Sequence, residues 1–352
     1  MPGRPGNKTA VALSGGIDSL VSAFLLKQKG VDIFGLHFIT GHESGSGRFD
    51  PQHRITHLAR LLDIKIHAIE IHENFEDHVI NYFISTYASG RTPNPCMVCN
   101  REIKFGIMLD YARSLGADHI ATGHYARTQH LGDGCYGLRK GIDPRKDQSY
   151  FLAMLTPAQL ASACFILGDK TKADVRQIAR ENGLEPFYKN ESQDICFIRE
   201  GACQDFLHAR LDRGDESGDI VDSEGRLIGR HNGLFRYTIG QRRGINCPAP
   251  EPYYVLDIDT DQNRLIVGFR DALYKNRCRV SGVNWIIPKH GGPLDVETRI
   301  RYRHEAVDSV LTPEGRHGAV IEFKTPQPAV TPGQAAVCYQ GDTVVAAGWI
   351  EK

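Results

Sequence analysis

The chain has 352 residues, too many for one ordinary core, so two or three domains are expected. Hydrophobic residues make up 41%, which excludes wholesale disorder, and Lys+Arg and Asp+Glu total 42 each, so binding of any polyanion must rest on locally segregated charge. The opening MPGRPGNKTA has no apolar segment and no run reaches membrane-span length, so a cytoplasmic chain with reduced cysteines and no membrane partner is expected.

Taken in order, Thr9 to Leu13 reads as a buried strand, followed by strands at Asp32 to Phe38, Lys65 to Ile71 and His119 to Thr122. Between them Val21, Phe24 and Leu25 recur at helical spacing. So do Ile55, Leu58, Ala59 and Leu62, then Phe75, Val79, Tyr82 and Phe83, then Ile103, Ile107 and Tyr111. This alternation predicts an α/β fold, a parallel sheet with helices on both faces, whose ligands bind at the carboxyl ends of the strands. A further helix, with Val175, Ile178 and Ala179 inward, is expected to stop at Asn182-Gly183. After about Phe206 the texture changes to short β patterns at Asp219 to Ile228 and Tyr253 to Val267. From Val280 on, regularly spaced strands (Val296 to Tyr302, Ala319 to Phe323, Ala335 to Tyr339, Thr343 to Ile350) predict a small C-terminal β-barrel. The expected division is a catalytic domain over 1–205, a central β-rich domain over 206–275 and the barrel over 276–352.

Ser14-Gly15-Gly16-Ile17-Asp18-Ser19 falls between the first strand and its helix. Glycines there allow a tight turn that aims backbone N–H groups outward, and the helix N-terminus adds positive partial charge, which makes a phosphate site. It is not a Walker A loop, because no Gly-Lys-Ser/Thr closes it. The plainer alternative is a Gly-rich turn with Asp18 as the helix N-cap. Further along, Arg91-Thr92-Pro93-Asn94-Pro95-Cys96-Met97-Val98-Cys99-Asn100 stiffens with two prolines before a helix, so Cys99 is expected near a helix N-terminus with its thiol pKa lowered. Ala121-Thr122-Gly123-His124-Tyr125 closes a strand at the sheet's carboxyl end. Lys146-Asp147-Gln148-Ser149-Tyr150-Phe151-Leu152 is a charged loop entering an apolar segment, and Ser192 to Ile198 puts Cys196 in a short β-like run. Tyr237 to Gly244 supplies the last motif.

The loop resembles the pyrophosphate loop of the N-type ATP pyrophosphatases, which cleave ATP between the α and β phosphates and adenylate a substrate. With the other motifs, which occur in the same order from Ala12 to about Trp349, the chain closely resembles the bacterial tRNA-specific 2-thiouridylases. The resemblance implies an enzyme that uses ATP with Mg²⁺ to adenylate the C2 oxygen of the tRNA wobble uridine and replaces it with sulfur, releasing AMP and pyrophosphate. It implies ATP contacts from Ala12, Leu13, Ser14, Gly15, Gly16, Ile17, Asp18 and Ser19, from Phe38 and from Gly123. The strand His37-Phe38-Ile39-Thr40 departs from the family, which usually carries a methionine near Phe38. By the same resemblance Cys99 is the nucleophile and Cys196 carries a persulfide, the two passing through a transient disulfide. Asn94, Pro95 and Cys96 match positions that meet the target base, and His124, Lys146, Asp147, Gln148, Arg301, Tyr302 and Gln334 match tRNA contacts. A sulfur donor such as a cysteine desulfurase or sulfur-relay protein is the implied second partner.

Two chemistries fit these thiols. Many relatives carry an acidic residue where this chain has Cys96, and Cys96, Cys99 and Cys196 would suit a [4Fe–4S] cluster with one iron open to hydrosulfide. Alternatively Cys96 lines the base pocket while Cys99 and Cys196 run persulfide chemistry. A zinc site is the weaker variant, with one Cys-x-x-Cys and no fourth ligand. The competing functions are a small-molecule ligase or amidotransferase, which needs neither Cys99 nor Cys196, and a tRNA-binding module without ATP hydrolysis, which the intact SGGIDS loop opposes. Between Arg270 and Arg303 eight Lys/Arg face three acids, and strand alternation would put Arg299, Arg301 and Arg303 on one face, toward RNA phosphates or simply toward solvent. His53 and His57 share a helix face without a third ligand and read as surface residues. Cys135, Cys164, Cys203, Cys247, Cys278 and Cys338 have no partner spacing and read as structural.

Overall fold

The computed structural model describes residues 8–42, 51–132, 134–187, 195–198, 203–211, 216–288 and 291–352. Its first layer is a five-stranded parallel sheet in the order Ile66–Glu70, Ile33–Ile39, Thr9–Ala12, His119–Thr122, Ala163–Phe165. The strands are β1 (Thr9–Ala12), β2 (Ile33–Ile39), β3 (Ile66–Glu70), β4 (His119–Thr122) and β7 (Ala163–Phe165), with β5 and β6 described below. All four residues of β1 are buried, as a central strand covered on both faces requires. One face packs against helices at Ile17–Gln28 and Lys172–Glu181, where Leu20, Val21, Leu26, Val175 and Ala179 are buried. The other packs against helical residues 72–88 and 95–114, through Phe75, Phe83, Ile103 and Met108.

Residues 95–114 run without a break as helix, but the stretch Cys99–Ile107 is wound as a π-helix between α-helical ends. Such segments are rare and concentrate at functional sites.

The hairpin β5 (Ala126–Gly132) and β6 (Cys135–Lys140) leaves the parallel sheet and joins the barrel. The sequence pattern gave no warning of it. Four strands form the central module: β8 (Ser217–Val221), β9 (Leu227–Asn232), β10 (Tyr254–Asp259) and β11 (Arg264–Gly268), in the order β10-β11-β8-β9. The last module holds β12 (Tyr274–Trp285), β13 (Leu294–Arg299), β14 (Val307–Glu314), β15 (Gly318–Pro328), β16 (Ala335–Gln340) and β17 (Thr343–Ile350). Pairing runs β12-β15-β14-β13-β16-β17 and returns from β17 to β12, which closes a six-stranded antiparallel barrel. Closure removes free edges, the usual liability of short strands.

The expected strand Val296 to Tyr302 is shorter than its pattern. It ends at Arg299, whose guanidinium turns back to donate to the carbonyls of Tyr302 at 2.6 Å and His304 at 3.0 Å. Arg299, Arg301 and Arg303 therefore do not line one strand face. Among the described residues no helix is long and apolar enough to cross a membrane.

Candidate functional site

The carboxyl ends of β1, β2 and β4 lie along one edge of the sheet, and the motif residues collect there. Beyond β1 the chain turns through Gly15 at φ 86° into the helix Ile17–Gln28. Gly16, not Asp18, occupies the N-cap and brings no side-chain acceptor. The helix's first N–H groups therefore have no capping side chain, the arrangement that receives an anion. The turn is braced from within: Ser19 Oγ donates to the Gly16 carbonyl at 2.8 Å, and the Gly16 N–H reaches Ser14 Oγ at 3.3 Å. Gly123, past the end of β4, presses on this turn so closely that a Cβ would lie 2.8 Å from the Asp18 carbonyl carbon and 2.9 Å from the Ser19 nitrogen. Phe38 sits half-buried near the end of β2. Loop, Gly123 and the end of β2 are thus brought together as a nucleotide site needs.

Asp18 faces two partners absent from the motif. Lys172 Nζ donates to both carboxylate oxygens at 2.8 Å, and the Tyr125 hydroxyl donates to Oδ1 at 2.7 Å. A cation does reach this loop, then, from 154 residues away.

The thiols occupy the adjoining corner. Asn94 caps the helix at 95–114 by accepting the Met97 N–H on Oδ1 at 3.3 Å, with Pro95 in the first turn. Cys96 is exposed, and Cys99 is half-buried at the start of the π-wound stretch, a full turn inside the helix. The expected lowering of its pKa does not occur. Burial pushes the Cys99 thiol up to about 12, against a pull from Lys104 and with a further push from Cys196 and Cys96. Cys96 is open to solvent at its surface, yet the protein packed round it still pushes its thiol up, to about 11, helped by Cys196 and opposed by Lys104. Desolvation is the largest influence at both positions.

The β-like run expected around Cys196 is a turn over its described part, with Ile198 N–H donating to the Ile195 carbonyl at 3.0 Å; Ser192, Gln193 and Asp194 lie outside the described residues. Phe197 is buried edge-on against Phe75 and Phe83, which leaves Cys196 exposed. The three thiols are near enough to feel one another's charge. Among the described residues no three His, Cys, Asp or Glu side chains are grouped to hold a metal ion.

His124 joins the two corners. It follows Gly123, lies among Phe105 and Phe165, and its Nδ1 is 2.7 Å from Thr122 Oγ1. Burial, with Lys104 adding to it, holds its pKa well below the usual histidine value, so the ring is neutral.

Several residues matched to tRNA contacts also hold the barrel to the parallel-sheet domain. Asp147 is buried and accepts from Arg299 at 3.1 Å and from the Gly141 and Ser149 N–H groups, each at 3.1 Å. Tyr302 packs against Phe151 with the rings tilted by 36° and their centroids 4.3 Å apart. Gln334 donates to the carbonyls of Thr92 and Pro93 at 3.2 and 2.9 Å, immediately before Asn94. Gln148 exchanges hydrogen bonds with the backbone of Tyr125. Lys146 is partly exposed, and Arg301 and Arg303 are exposed. Of the six cysteines read as structural, Cys164, Cys278 and Cys338 are buried, Cys203 and Cys247 intermediate, and Cys135 exposed. His53 and His57 are exposed, as expected.

Sequence reasoning missed Lys172 and Lys104. Lys172 carried one signal: a lysine in the first turn of a helix opposes the dipole and asks for a nearby anion.

A parallel sheet with a Gly-rich, uncapped turn at its carboxyl edge, followed by two β modules, is the build of a three-part protein with a nucleotide-type loop. Family models match each part: "tRNA methyl transferase HUP domain" over residues 7–200, "tRNA methyl transferase PRC-barrel domain" over 204–269, and "Aminomethyltransferase beta-barrel domain" over 275–350. The chain belongs to the tRNA-specific 2-thiouridylase MnmA family. It is 51% identical to the member from Desulfosudis oleivorans over 97% of this chain and 94% of that one. It is 42% identical to the member from Geotalea uraniireducens over 98% and 95%. A solved complex of a 4-thiouridine synthetase with RNA and bound ATP matches at a TM-score of 0.37 and 18% identity, over 51% of this chain and 41% of that one, too loosely to bear on the site.

Proposed function

We propose that the protein is an ATP-dependent sulfurtransferase that 2-thiolates the wobble uridine of tRNA. The observation that carries this reading lies round the end of β4: Gly123 presses on Asp18 of the loop, while its neighbour His124 lies 6.4 Å, ring to ring, from Phe105 of the helical stretch that begins at Cys99. Residues 1–205 then do the chemistry, and 206–275 and 276–352 hold the RNA.

The uracil C2 oxygen attacks the α phosphorus of ATP, and pyrophosphate leaves with the electron pair of the broken bond. The terminal sulfur of a persulfide on Cys196 attacks C2 and AMP departs. The Cys99 thiolate then attacks the inner sulfur, leaving sulfur on C2 and a Cys99–Cys196 disulfide that an external thiol reductant reopens. A cysteine desulfurase or sulfur-relay protein reloads Cys196. Mg²⁺ neutralises phosphate charge when bound; one carboxylate, Asp18, beside phosphate oxygens and water suits that ion. Asn94, Pro95 and Cys96 receive the uridine. Arg301, Arg303 and Lys146 reach RNA phosphates, with His124, Asp147, Gln148, Tyr302 and Gln334 shaping the surface between. Such an enzyme works in the cytoplasm, with its tRNA.

Incubation with ATP, a sulfide source and unmodified tRNA should yield 2-thiouridine on nucleoside mass analysis, with AMP and pyrophosphate in solution. ADP and phosphate as products, or tRNA without thiouridine, would refute the reading.

A further inference from the structure

Gln159 belongs to none of the motifs, yet its amide grips the helix that carries Cys99. It stands in the helix Pro157–Ser162, where it closes the capping box begun by Thr156. Its Oε1 accepts the Thr156 N–H at 3.0 Å and the Thr156 hydroxyl at 3.3 Å. Its Nε2 donates to the Arg101 carbonyl at 2.8 Å and to the Phe105 carbonyl at 3.0 Å. A primary amide has two N–H donors and two lone pairs, and here each has a partner. Turned over, the amide would set its oxygen against two carbonyls, so its orientation is fixed.

Both carbonyls lie inside the π-wound stretch Cys99–Ile107. A carbonyl oxygen has two lone pairs, so Gln159 adds to the helix's own bonds without displacing them. A Cβ at Gly106 would come to 3.1 Å from the Arg101 oxygen, and the glycine leaves that oxygen open to the amide. The support behind Gln159 is firm. Leu160 is fully buried, and Ser162 Oγ accepts from Arg113 at 3.2 Å, beyond the π-wound stretch. The chain then runs directly into β7, whose Phe165 packs edge-on against Phe105 at 5.7 Å. Gln159 thus ties two carbonyls, four residues apart, to a fixed point beside the sheet.

We propose that Gln159 is a positioning residue for sulfur transfer: its hold on the Arg101 and Phe105 carbonyls keeps the stretch π-wound and so aims the Cys99 thiol. The winding also decides which charge the thiol meets. A π turn brings residue i+5 round to residue i, whereas five steps of an α-helix overshoot a full turn and would carry Lys104 away from Cys99. The proposal rests on the reading of Cys99 as the thiol that completes sulfur transfer, and deepens it by naming what sets that thiol. The competing role is a plain helix cap, whose loss loosens residues 157–162 and nothing else.

Three variants of the full-length protein separate these roles. Gln159→Met keeps the length of the side chain without donors, and Gln159→Asn keeps the amide but shortens its reach. Thr156→Ala breaks the capping box and leaves the Gln159 amide on both carbonyls. The readout is iodoacetamide alkylation of Cys99, followed across pH by mass spectrometry. Both Gln159 variants should slow it roughly two- to fivefold at each pH, the worth of one partly exposed charge, and should add nothing in a Lys104→Met background. Thr156→Ala should lower the melting temperature and keep the wild-type profile. With ATP, sulfide and tRNA, Gln159→Met should thiolate several-fold more slowly while affinity for an ATP analogue holds. The proposal is overturned by a Cys99 profile that ignores both Gln159 variants, by an equal shift in Thr156→Ala, by further slowing in the Lys104→Met background, or by full thiolation in Gln159→Met. If Gln159→Met does not fold, Gln159→Asn decides on the same readouts. Wild-type protein that makes no 2-thiouridine while its Cys99 profile still depends on Gln159 refutes the sulfurtransferase reading alone.

Discussion

The phosphate loop and the thiol corner lie side by side, yet they are assembled in opposite ways. The loop is six consecutive residues whose backbone turn is braced by its own serines, and among the described residues it also meets Gly123, Tyr125, Lys172 and the Phe187 N–H, which donates to the Gly15 carbonyl at 2.9 Å. The thiol corner draws Cys96 and Cys99 from one helix and Cys196 from a turn, and the approach to that helix is held by Gln334 of the barrel. A local device tolerates distant change. A composite one should not.

Asp18→Ala tests the local device and should have the largest effect, abolishing tRNA-dependent formation of AMP and pyrophosphate while circular dichroism stays native. Turnover near the wild-type rate would remove the loop from the chemistry. Next comes Arg299→Ala, which leaves the Asp147 carboxylate buried beside Ser149 with its cation gone and should cost about 3 kcal/mol in urea unfolding. Unchanged stability would mean that the seam does not depend on this pair.

Gly333→Ala sharpens the contrast directly. Gly333 has φ 88°, and a Cβ there would lie 2.8 Å from the Thr92 carbonyl oxygen. The change should lower thiolation several-fold while affinity for an ATP analogue holds. A parallel fall in both would make the two sites one mechanical unit.

A smaller effect is expected from Lys104→Met. The Cys99 thiol is pushed up to about 12, so its thiolate, and its alkylation by iodoacetamide, should rise about tenfold per pH unit through the range below that value. Lys104 favours the thiolate, so its removal should slow alkylation at each pH and move the profile to higher pH, read cysteine by cysteine by mass spectrometry. The smallest change belongs to Arg301→Ala with Arg303→Ala, which should flatten the salt dependence of tRNA affinity by up to about one log–log unit per lost phosphate contact. An unaltered slope would leave both arginines as solvated loop residues.

The same contrast explains what could be read in advance. The strands from β1 to β4 and the loop were legible because burial and turn chemistry are written in neighbouring residues. The hairpin β5–β6 was not: Thr128, Gln129 and His130 give it a polar texture, and it becomes part of a sheet through Thr343 of β17, about two hundred residues on. Strand alternation misled at Arg299 because the guanidinium's acceptors, Asp147 and two carbonyls, are tertiary. Lys172 was invisible as a loop residue for the same reason. The thiols were found by motif, but their raised pKa values follow from desolvation, which spacing does not report.

The π-wound stretch at residues 99–107 sets the helix that carries Cys96 and Cys99 apart from an ordinary α-helix. Bonds from i to i+5 set residues five apart above one another, and so put Cys99 and Lys104 on one side. Met108, Leu109 and Ala112 are anchored in the core. Rewinding one π turn into α-helix with that end fixed would rotate the Pro95–Cys99 end by about 100° around the axis. Cys99 could thereby be turned toward or away from a neighbouring sulfur by a screw motion, with the backbone still hydrogen-bonded on either side of the turn that changes.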